Sequence, residues 1–261
     1  MCTNGKIIPI KATGEDFRRP IRTNCGNCVE CFTTRANAWA YRNYSQYLRS
    51  ENAYFITLTL NDENLSEAPN KQDIQLFNKR LRSFLAYHYP DYDTKLLKFF
   101  LVSEYGYKTE RLHYHAIYYN LPYSAGTSYI QISNEFARIW GKGICYVKPF
   151  QLEQIYYCIK YLQKDKELGN IRMNSTNLGY ISDEMVKYMN TATNFENIKV
   201  KIGHGKTIAM PRYFRKKYMT EDQEKQFGDF FIQKNEKMIK DGSIKLKKYN
   251  FDRRNQKFMK L

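Results

Sequence analysis

The succession of elements predicted between residues 53 and 150 limits the fold more than any other feature of the sequence. Periodic apolar residues, interrupted by polar or proline-containing segments, predict four strands, at residues 54–60, 96–104, 113–119 and 143–150. Two helices lie between them, at residues 71–89 and at residues 133–140, where Ser133 is the expected N-cap. This β-α-β-β-α-β order predicts an α+β fold, a ferredoxin-like split βαβ antiparallel sheet with helices on one face and the other face open.

The third predicted strand contains two of the chain's four histidines, His113 and His115. Side chains two residues apart point to the same face of a strand, so both imidazoles could bind one divalent metal ion. The preceding strand is close enough in sequence to form a hairpin with this one, and Glu104 becomes a third ligand if it lies opposite His113. The competing interpretation is a pair of histidines that merely alternate on a sheet, with Glu104 solvated at a strand end.

A helix predicted at residues 151–165 carries an unusual stripe opposite its apolar face. Tyr157, Lys160, Tyr161 and Lys164 recur at helical spacing. A tyrosine hydroxyl can attack phosphorus and form a covalent intermediate, a nearby lysine favours the phenolate, and a metal ion polarises the phosphoryl oxygen. The alternative is a set of tyrosines that are half buried and half in contact with water and have no chemical role.

Near the N-terminus, Cys25, Cys28 and Cys31 follow C-x2-C-x2-C spacing, ahead of a helix predicted at residues 29–50. A tetrahedral zinc site needs one more ligand, and Cys2 is the candidate because the intervening segment can fold back as a loop. An iron–sulfur cluster and reduced thiols that bind nothing are the alternatives to structural Zn²⁺. The two other cysteines, at positions 145 and 158, have the pattern of ordinary buried thiols.

The charge and aromatic content of the chain favour a nucleic-acid partner. The net charge is +16, and the sequence contains 23 tyrosines and 16 phenylalanines, which suits phosphate backbones and base stacking in single-stranded DNA. A generically basic soluble protein is the competing interpretation. The sequence has no apolar run long enough to span a membrane and no apolar signal core, so we expect a cytoplasmic protein with no membrane partner. In that compartment the six cysteines are metal ligands or free thiols rather than disulfides.

Residues 166–261 form a basic extension in this interpretation, after a Cys-rich and helical segment at 1–52 and a catalytic core at 53–165. A segment at 211–217 mixes cations with aromatic rings, as expected for binding single-stranded DNA. The candidate DNA-binding residues are Lys164, Arg212, Tyr213, Arg215, Lys216 and Lys217. The lysine- and arginine-rich end of the chain is either a further DNA-binding element or a disordered solubilising tail.

Three of these segments together resemble the motifs of HUH rolling-circle replication initiators, in the order that the family has. They are Phe55-Ile56-Thr57-Leu58-Thr59, His113-Tyr114-His115 and Tyr157-Cys158-Ile159-Lys160-Tyr161. The Cys25–Cys31 segment, Glu104-Tyr105-Gly106 and Pro211–Lys217 are also similar to segments of microvirus initiators of the gokushovirus type. The resemblance covers residues 1 to about 217, and each motif taken alone is weak.

The resemblance implies a HUH nuclease fold and a site-specific endonuclease that nicks and religates origin DNA. In the family, the two histidines bind Mg²⁺ or Mn²⁺, which assigns this role to His113 and His115, with Glu104 as third ligand. Tyr157 and Tyr161 would become linked to the 5′ phosphate, and Lys160 matches the motif lysine. The implied partners are single-stranded origin DNA and the host helicase and polymerase. We keep open a non-catalytic, zinc-containing nucleic-acid-binding protein, and a relaxase or transposase with the same chemistry.

Overall fold

The computed structural model describes residues 2, 5–11, 18–106, 110–164, 169–203 and 205–241. At residues 6–11, 18–23, 161–164, 235, 239 and 240 the description is of the backbone alone. The expectation of a basic tail therefore falls mostly outside the described residues. The described chain forms two compact units, each built from separate stretches of sequence.

The larger unit, residues 39–181 and 201–206, is built on a five-stranded sheet. Its strands in chain order are β3 (Ala53–Thr59), β4 (Lys98–Tyr105), β5 (Leu112–Tyr119), β6 (Cys145–Pro149) and β7 (Arg172–Asn174). They lie in the order β6-β3-β5-β4-β7, and all neighbours are antiparallel. The first four strands thus have the arrangement of a split βαβ sheet, which confirms the predicted fold class. The three-residue strand β7 extends this sheet beyond β4.

Two helices cover one face of this sheet, namely α2 (Lys71–His88) and α3 (Tyr129–Trp140). The alternating pattern of β3 turns Ile56 and Leu58 toward them, and both side chains are fully buried. Phe77 of α2 packs edge-on against Tyr118 of β5, with ring centroids 6.4 Å apart. The main hydrophobic core therefore lies between the sheet and these two helices, and it holds the strands in a fixed register.

The start of α3 differs from the prediction. The N-cap is Ser128, whose hydroxyl accepts a hydrogen bond from the backbone N–H of Gln131, so the helix begins five residues earlier than the expected cap at Ser133. Ser133 lies inside the helix, where its hydroxyl donates to the Tyr129 carbonyl and accepts from the Val147 N–H of β6. The serine assigned to a cap thus joins a helix to a strand.

The second face of the sheet is partly covered, so the expectation of an open face was wrong for this region. Helix α1 (Val29–Tyr47) belongs to this unit from Trp39 onward, and the Trp39 ring lies 5.3 Å from that of Phe100. Tyr119 donates a hydrogen bond to Asn43 Oδ1 over 3.0 Å, and both residues are fully buried. Helix α4 (Glu153–Lys164) follows β6 and also packs against this face.

The chain enters β6 through a tight approach to β3. Gly143 has φ 149°, and a Cβ at this position would lie 2.4 Å from the carbonyl oxygen of Thr59 and 2.7 Å from the backbone nitrogen of Asn61. Both neighbours are backbone atoms of the strand end and its exit, so they cannot turn aside as a flexible side chain could. Glycine is therefore required where β6 begins to pair with β3.

The smaller unit comprises residues 1–38, 182–200 and 207–261, of which the ranges given above are described. Its elements are β1 (Lys6–Lys11), β2 (Arg18–Thr23), the first part of α1, α5 (Asp183–Thr191), β8 (Lys199–Lys201, which ends at the boundary), β9 (Thr207–Ala209), α6 (Arg212–Tyr218) and α7 (Glu221–Lys240). The pairs β1–β2 and β8–β9 form two-stranded sheets. Within the described chain, no helix combines the length and apolar character needed to cross a membrane.

Candidate active site

The register of three strands brings a carboxylate and two imidazoles together on the second face of the sheet. Glu104 of β4 is paired with His113 of β5, as predicted, and Thr57 of β3 is paired with His115. Glu104 Oε2 lies 2.7 Å from His115 Nε2 and 4.0 Å from His113 Nε2. The three ligand atoms fall within 4.8 Å of one another, so these side chains could hold one metal ion.

The ring orientation of each histidine is set by a neighbour on its other nitrogen. His113 Nδ1 lies 2.9 Å from the Arg111 carbonyl oxygen. A carbonyl only accepts, so Nδ1 carries the proton and the lone pair is on Nε2, facing Glu104. His115 Nδ1 lies 3.1 Å from Thr57 Oγ1, and donation to that hydroxyl places the lone pair of this ring on Nε2 in the same way. These contacts prepare both rings to bind a metal ion through Nε2.

Burial also keeps His113 in the form that a metal requires. Removal of the ring from water lowers the pKa of His113 below its usual value, and the neighbouring His115 acts in the same direction, against the attraction of Glu104. A neutral imidazole is a metal ligand and an imidazolium is not. The carboxylate provides the hard oxygen that Mg²⁺ and Mn²⁺ prefer, so the donor set fits either ion.

Tyr157 is the part of the site that comes from α4. Its hydroxyl donates to Glu104 Oε2 over 3.1 Å and lies 3.4 Å from His115 Nε2. Its ring stands edge-on to that of His115, with centroids 5.0 Å apart, and 6.1 Å from that of Phe55. The side chain is still 39% exposed. A nucleophilic oxygen, a metal-binding group and access from solvent therefore coincide at one place.

The other residues expected on this stripe of α4 are described to different degrees. Lys160 is half buried and lies three residues after Tyr157, on the same side of the helix. Tyr161 and Lys164 belong to α4, but their side chains lie outside the described ones. Tyr156 points elsewhere, since its hydroxyl lies 3.5 Å from the Gly203 carbonyl oxygen. Of these tyrosines with described side chains, Tyr157 is the one that reaches the histidines.

The comparison with known proteins agrees with this geometry. Residues 53–166 match a family of replication-associated proteins of the ORF2 type. The matched range spans every residue of the site, from Thr57 to Tyr157, and three curated replication-associated proteins align beyond it. The chain is a relative of phage replication-associated proteins. This result confirms the resemblance to microvirus-type replication initiators on which the motifs were interpreted.

The three relatives are related at similar distances. The chain is 27% identical over 217 residues to replication-associated protein VP4 of Bdellovibrio phage phiMH2K, covering 77% of this chain and 69% of the relative. It is 25% identical over 230 residues to replication-associated protein ORF4 of Chlamydia phage 1 (77% and 55%). It is 26% identical over 239 residues to replication-associated protein ORF2 of Spiroplasma virus 4 (83% and 73%). The match thus spans about half of the Chlamydia phage protein. No solved structure matches the chain significantly.

The remaining candidate DNA-binding residues of this phage relative lie on α6, in the smaller unit. Arg212, Lys216 and Lys217 are exposed, and Lys216 Nζ forms an ion pair with Glu224 at 2.9 Å. Tyr213 and Arg215 are half buried, and the Arg215 guanidinium lies over the Phe227 ring, 3.9 Å from its centroid. Only part of this segment therefore presents its charge to solvent.

The six cysteines divide as the sequence predicted. Cys2, Cys25, Cys28 and Cys31 are brought within 4.8 Å of one another, measured between sulfur atoms. Cys145 and Cys158 are buried in the larger unit, and burial raises the pKa of Cys145 to about 12. Metal ligation therefore concerns the first four alone among the six.

Sequence reasoning assigned no role to two neighbours of the histidines. Thr57 contacts His115 Nδ1, and the Phe55 ring stacks on the His115 ring with centroids 5.6 Å apart. Both residues belong to the face of β3 that the alternating pattern marks as the more polar one. The signal that could have identified them was their position beside His115 once the strand order was known, since β3 and β5 are neighbours.

Proposed function

We propose that this protein is a replication initiation protein that nicks and rejoins single-stranded DNA at a phage origin. The observation that carries the proposal is the Tyr157 hydroxyl, 3.1 Å from Glu104 and 3.4 Å from His115. The names of the relatives support a replication role. We assign the chemistry to the catalytic core expected at residues 53–165.

In this proposal, Glu104, His113 and His115 hold Mg²⁺ or Mn²⁺. The ion, when bound, draws negative charge from the scissile phosphate. Thr57 and the Arg111 carbonyl keep the two Nε2 atoms pointed inward, by the contacts of 3.1 and 2.9 Å described above. The role of these protein groups is to have the site formed before DNA arrives.

The covalent step is a transesterification. The Tyr157 oxygen attacks the scissile phosphorus, a new phosphorus–oxygen bond forms, and the bond from phosphorus to the 3′ oxygen of the neighbouring nucleotide breaks. The phenolic proton is directed at Glu104, and the departing 3′ oxygen takes a proton from solvent. The products are a 5′-phosphotyrosine and a free 3′-OH. No hydrolysis occurs, so the bond energy is kept for rejoining.

The remaining roles follow the same scheme. The 3′-OH primes the host polymerase, while the host helicase separates the strands. After one circuit Tyr161, one turn further along α4, attacks the regenerated site and releases a circle. Lys160 adds positive charge beside the phenolate. Lys164 of α4 and Arg212, Tyr213, Arg215, Lys216 and Lys217 of α6 bind the DNA strand. We place this reaction in the cytoplasm of the bacterial host.

The test is a nicking assay on denaturing gels. The full chain is incubated with single-stranded DNA of its own replicon, in Mn²⁺ and in EDTA. We expect a protein–DNA adduct that requires Mn²⁺ and is absent when Tyr157→Phe and Tyr161→Phe are combined. An adduct retained in that double variant would remove the mechanism. Tight DNA binding with no adduct on origin DNA would favour the non-catalytic, zinc-containing binding protein.

A further inference from the structure

Four cysteine sulfurs in the smaller unit form a group that the nicking reaction does not use. Cys2 Sγ lies 3.5 Å from Cys25 Sγ and 3.6 Å from Cys28 Sγ. Cys31 Sγ lies 3.4 Å from Cys28 Sγ and 3.9 Å from Cys25 Sγ. These separations exceed the bond length of a disulfide, about 2.05 Å, so the sulfurs are not joined to one another.

The separations match the edges of one tetrahedron. Four thiolates at about 2.3 Å from a central zinc ion are about 3.8 Å apart. The observed distances of 3.4 to 3.9 Å lie around that value. Cysteines of a multi-iron cluster bind different iron atoms and stand farther apart, so a single ion fits this group better than a cluster.

Backbone N–H groups are directed at the sulfurs as well. The N–H of Cys25 donates to Cys2 Sγ over 3.3 Å, and the N–H groups of Asn27 and Cys28 donate to Cys25 Sγ over 3.4 and 3.3 Å. Such donors stabilise thiolates, the form that binds metal. The Asn27 contact is the main reason that the pKa of Cys25 falls to about 6.

We propose that Cys2, Cys25, Cys28 and Cys31 bind one Zn²⁺ as a closed structural site, distinct from the carboxylate–histidine site. Cys2, Cys28 and Cys31 are each less than 9% exposed, so no position is open for a substrate. A site with four protein ligands and no free position is the form that zinc takes when its role is to hold a fold.

The ion would connect distant parts of the N-terminal segment. Cys2 precedes β1, whereas Cys25 and Cys28 follow β2 and Cys31 lies in the first turn of α1. Closing this loop fixes both ends of the β1–β2 hairpin on the start of the helix. A two-stranded hairpin is marginally stable alone, so the metal ion supplies the ordering that a larger core supplies elsewhere.

The experiment measures metal content in the full chain. Protein purified without chelator is dialysed and analysed by elemental mass spectrometry, and a second sample is refolded with Co²⁺. We expect one zinc ion per chain and the visible absorption bands of tetrahedral, thiolate-bound cobalt. Cys2→Ser and Cys28→Ser should each lose both signals, whereas the matched variant Cys145→Ser, another buried thiol, should retain them.

The outcomes separate this site from the nicking reaction. His113→Ala should keep the zinc ion while it loses the adduct, so failure of either proposal is seen independently of the other. Zinc retained in Cys28→Ser, or iron in place of zinc in the wild-type protein, would overturn the assignment. If the serine variants fail to fold, the wild-type cobalt spectrum decides: bands of octahedral, oxygen-bound cobalt, or none, would also overturn it.

Discussion

The Tyr157 hydroxyl donates a hydrogen bond to Glu104 Oε2 over 3.1 Å, although the two residues are 53 positions apart in sequence. The contact joins α4 to the end of β4, where the hairpin with β5 has already placed Glu104 opposite His113. One helix residue thereby reaches a group prepared by two strands. The predictions below test the parts of this arrangement one at a time.

Replacement of the nucleophile is the first prediction. Tyr157→Phe keeps the ring that packs on His115 and removes only the hydroxyl, so we expect the rate of adduct formation to fall by about 10³-fold or more. Tyr156→Phe is the matched control, because its hydroxyl contacts Gly203 instead. The measurement is adduct formed against time in Mn²⁺. Equal rates in Tyr157→Phe and in the wild type would show that another residue attacks.

The second prediction concerns Glu104 as a metal ligand. Glu104→Gln keeps the size of the side chain and removes its negative charge, so Mn²⁺ binding should weaken by at least about tenfold. Titration calorimetry with Mn²⁺ measures this directly. Glu63→Gln is the control, since Glu63 is exposed and lies outside the site. Unchanged Mn²⁺ affinity in Glu104→Gln would leave the two histidines without their carboxylate partner.

Thr57 gives the third prediction. Thr57→Val removes the hydroxyl that lies 3.1 Å from His115 Nδ1 and keeps the shape of the side chain. Loss of a contact that orients a metal-binding histidine should lower Mn²⁺ affinity by about 10- to 100-fold. Thr59→Val is the comparison, because the Thr59 hydroxyl donates to the Ile144 carbonyl and not to a histidine. A larger loss of Mn²⁺ affinity in Thr59→Val than in Thr57→Val would contradict this role.

The fourth prediction is about stability. Gly143→Ala places a methyl group against the Thr59 carbonyl and the Asn61 nitrogen, and the backbone must shift to admit it. We expect the free energy of unfolding to fall by about 1–3 kcal/mol, measured by urea denaturation. Gly126→Ala is the control, because nothing lies within 4 Å of its added Cβ. Equal unfolding midpoints for these two variants would mean that β6 can start elsewhere.

The pairing of Glu104 with His113 could be predicted from the sequence because few geometries are open to a hairpin. Two strands with a short connection must be antiparallel, and the side-chain period of two then decides which residues share a face. The cap of α3 could not be predicted in this way. Ser128 and Ser133 are both suitable residues, and a tertiary contact between Ser133 and Val147 of β6 distinguishes them.

The partly covered second face was missed for a related reason. Asn43 is a polar residue within α1, and sequence alone assigns such a residue to the solvent side of a helix. In the fold its side chain accepts from the buried Tyr119 hydroxyl and donates to the Trp39 carbonyl, so its polar atoms are satisfied inside. Burial of this kind depends on a partner more than seventy residues away, which no local pattern contains.

The alternation of β5 has a consequence for how the site can be lost. His113 and His115 face the site, while Leu112, Tyr114 and Ala116 between and beside them belong to the core. A slip of one residue in the pairing of β5 would exchange the two sets, sending both imidazoles into the core and an apolar row to the surface. The same side chains that hold the sheet together therefore guard the position of the histidines, and a folded molecule with its catalytic group out of place is excluded by packing alone.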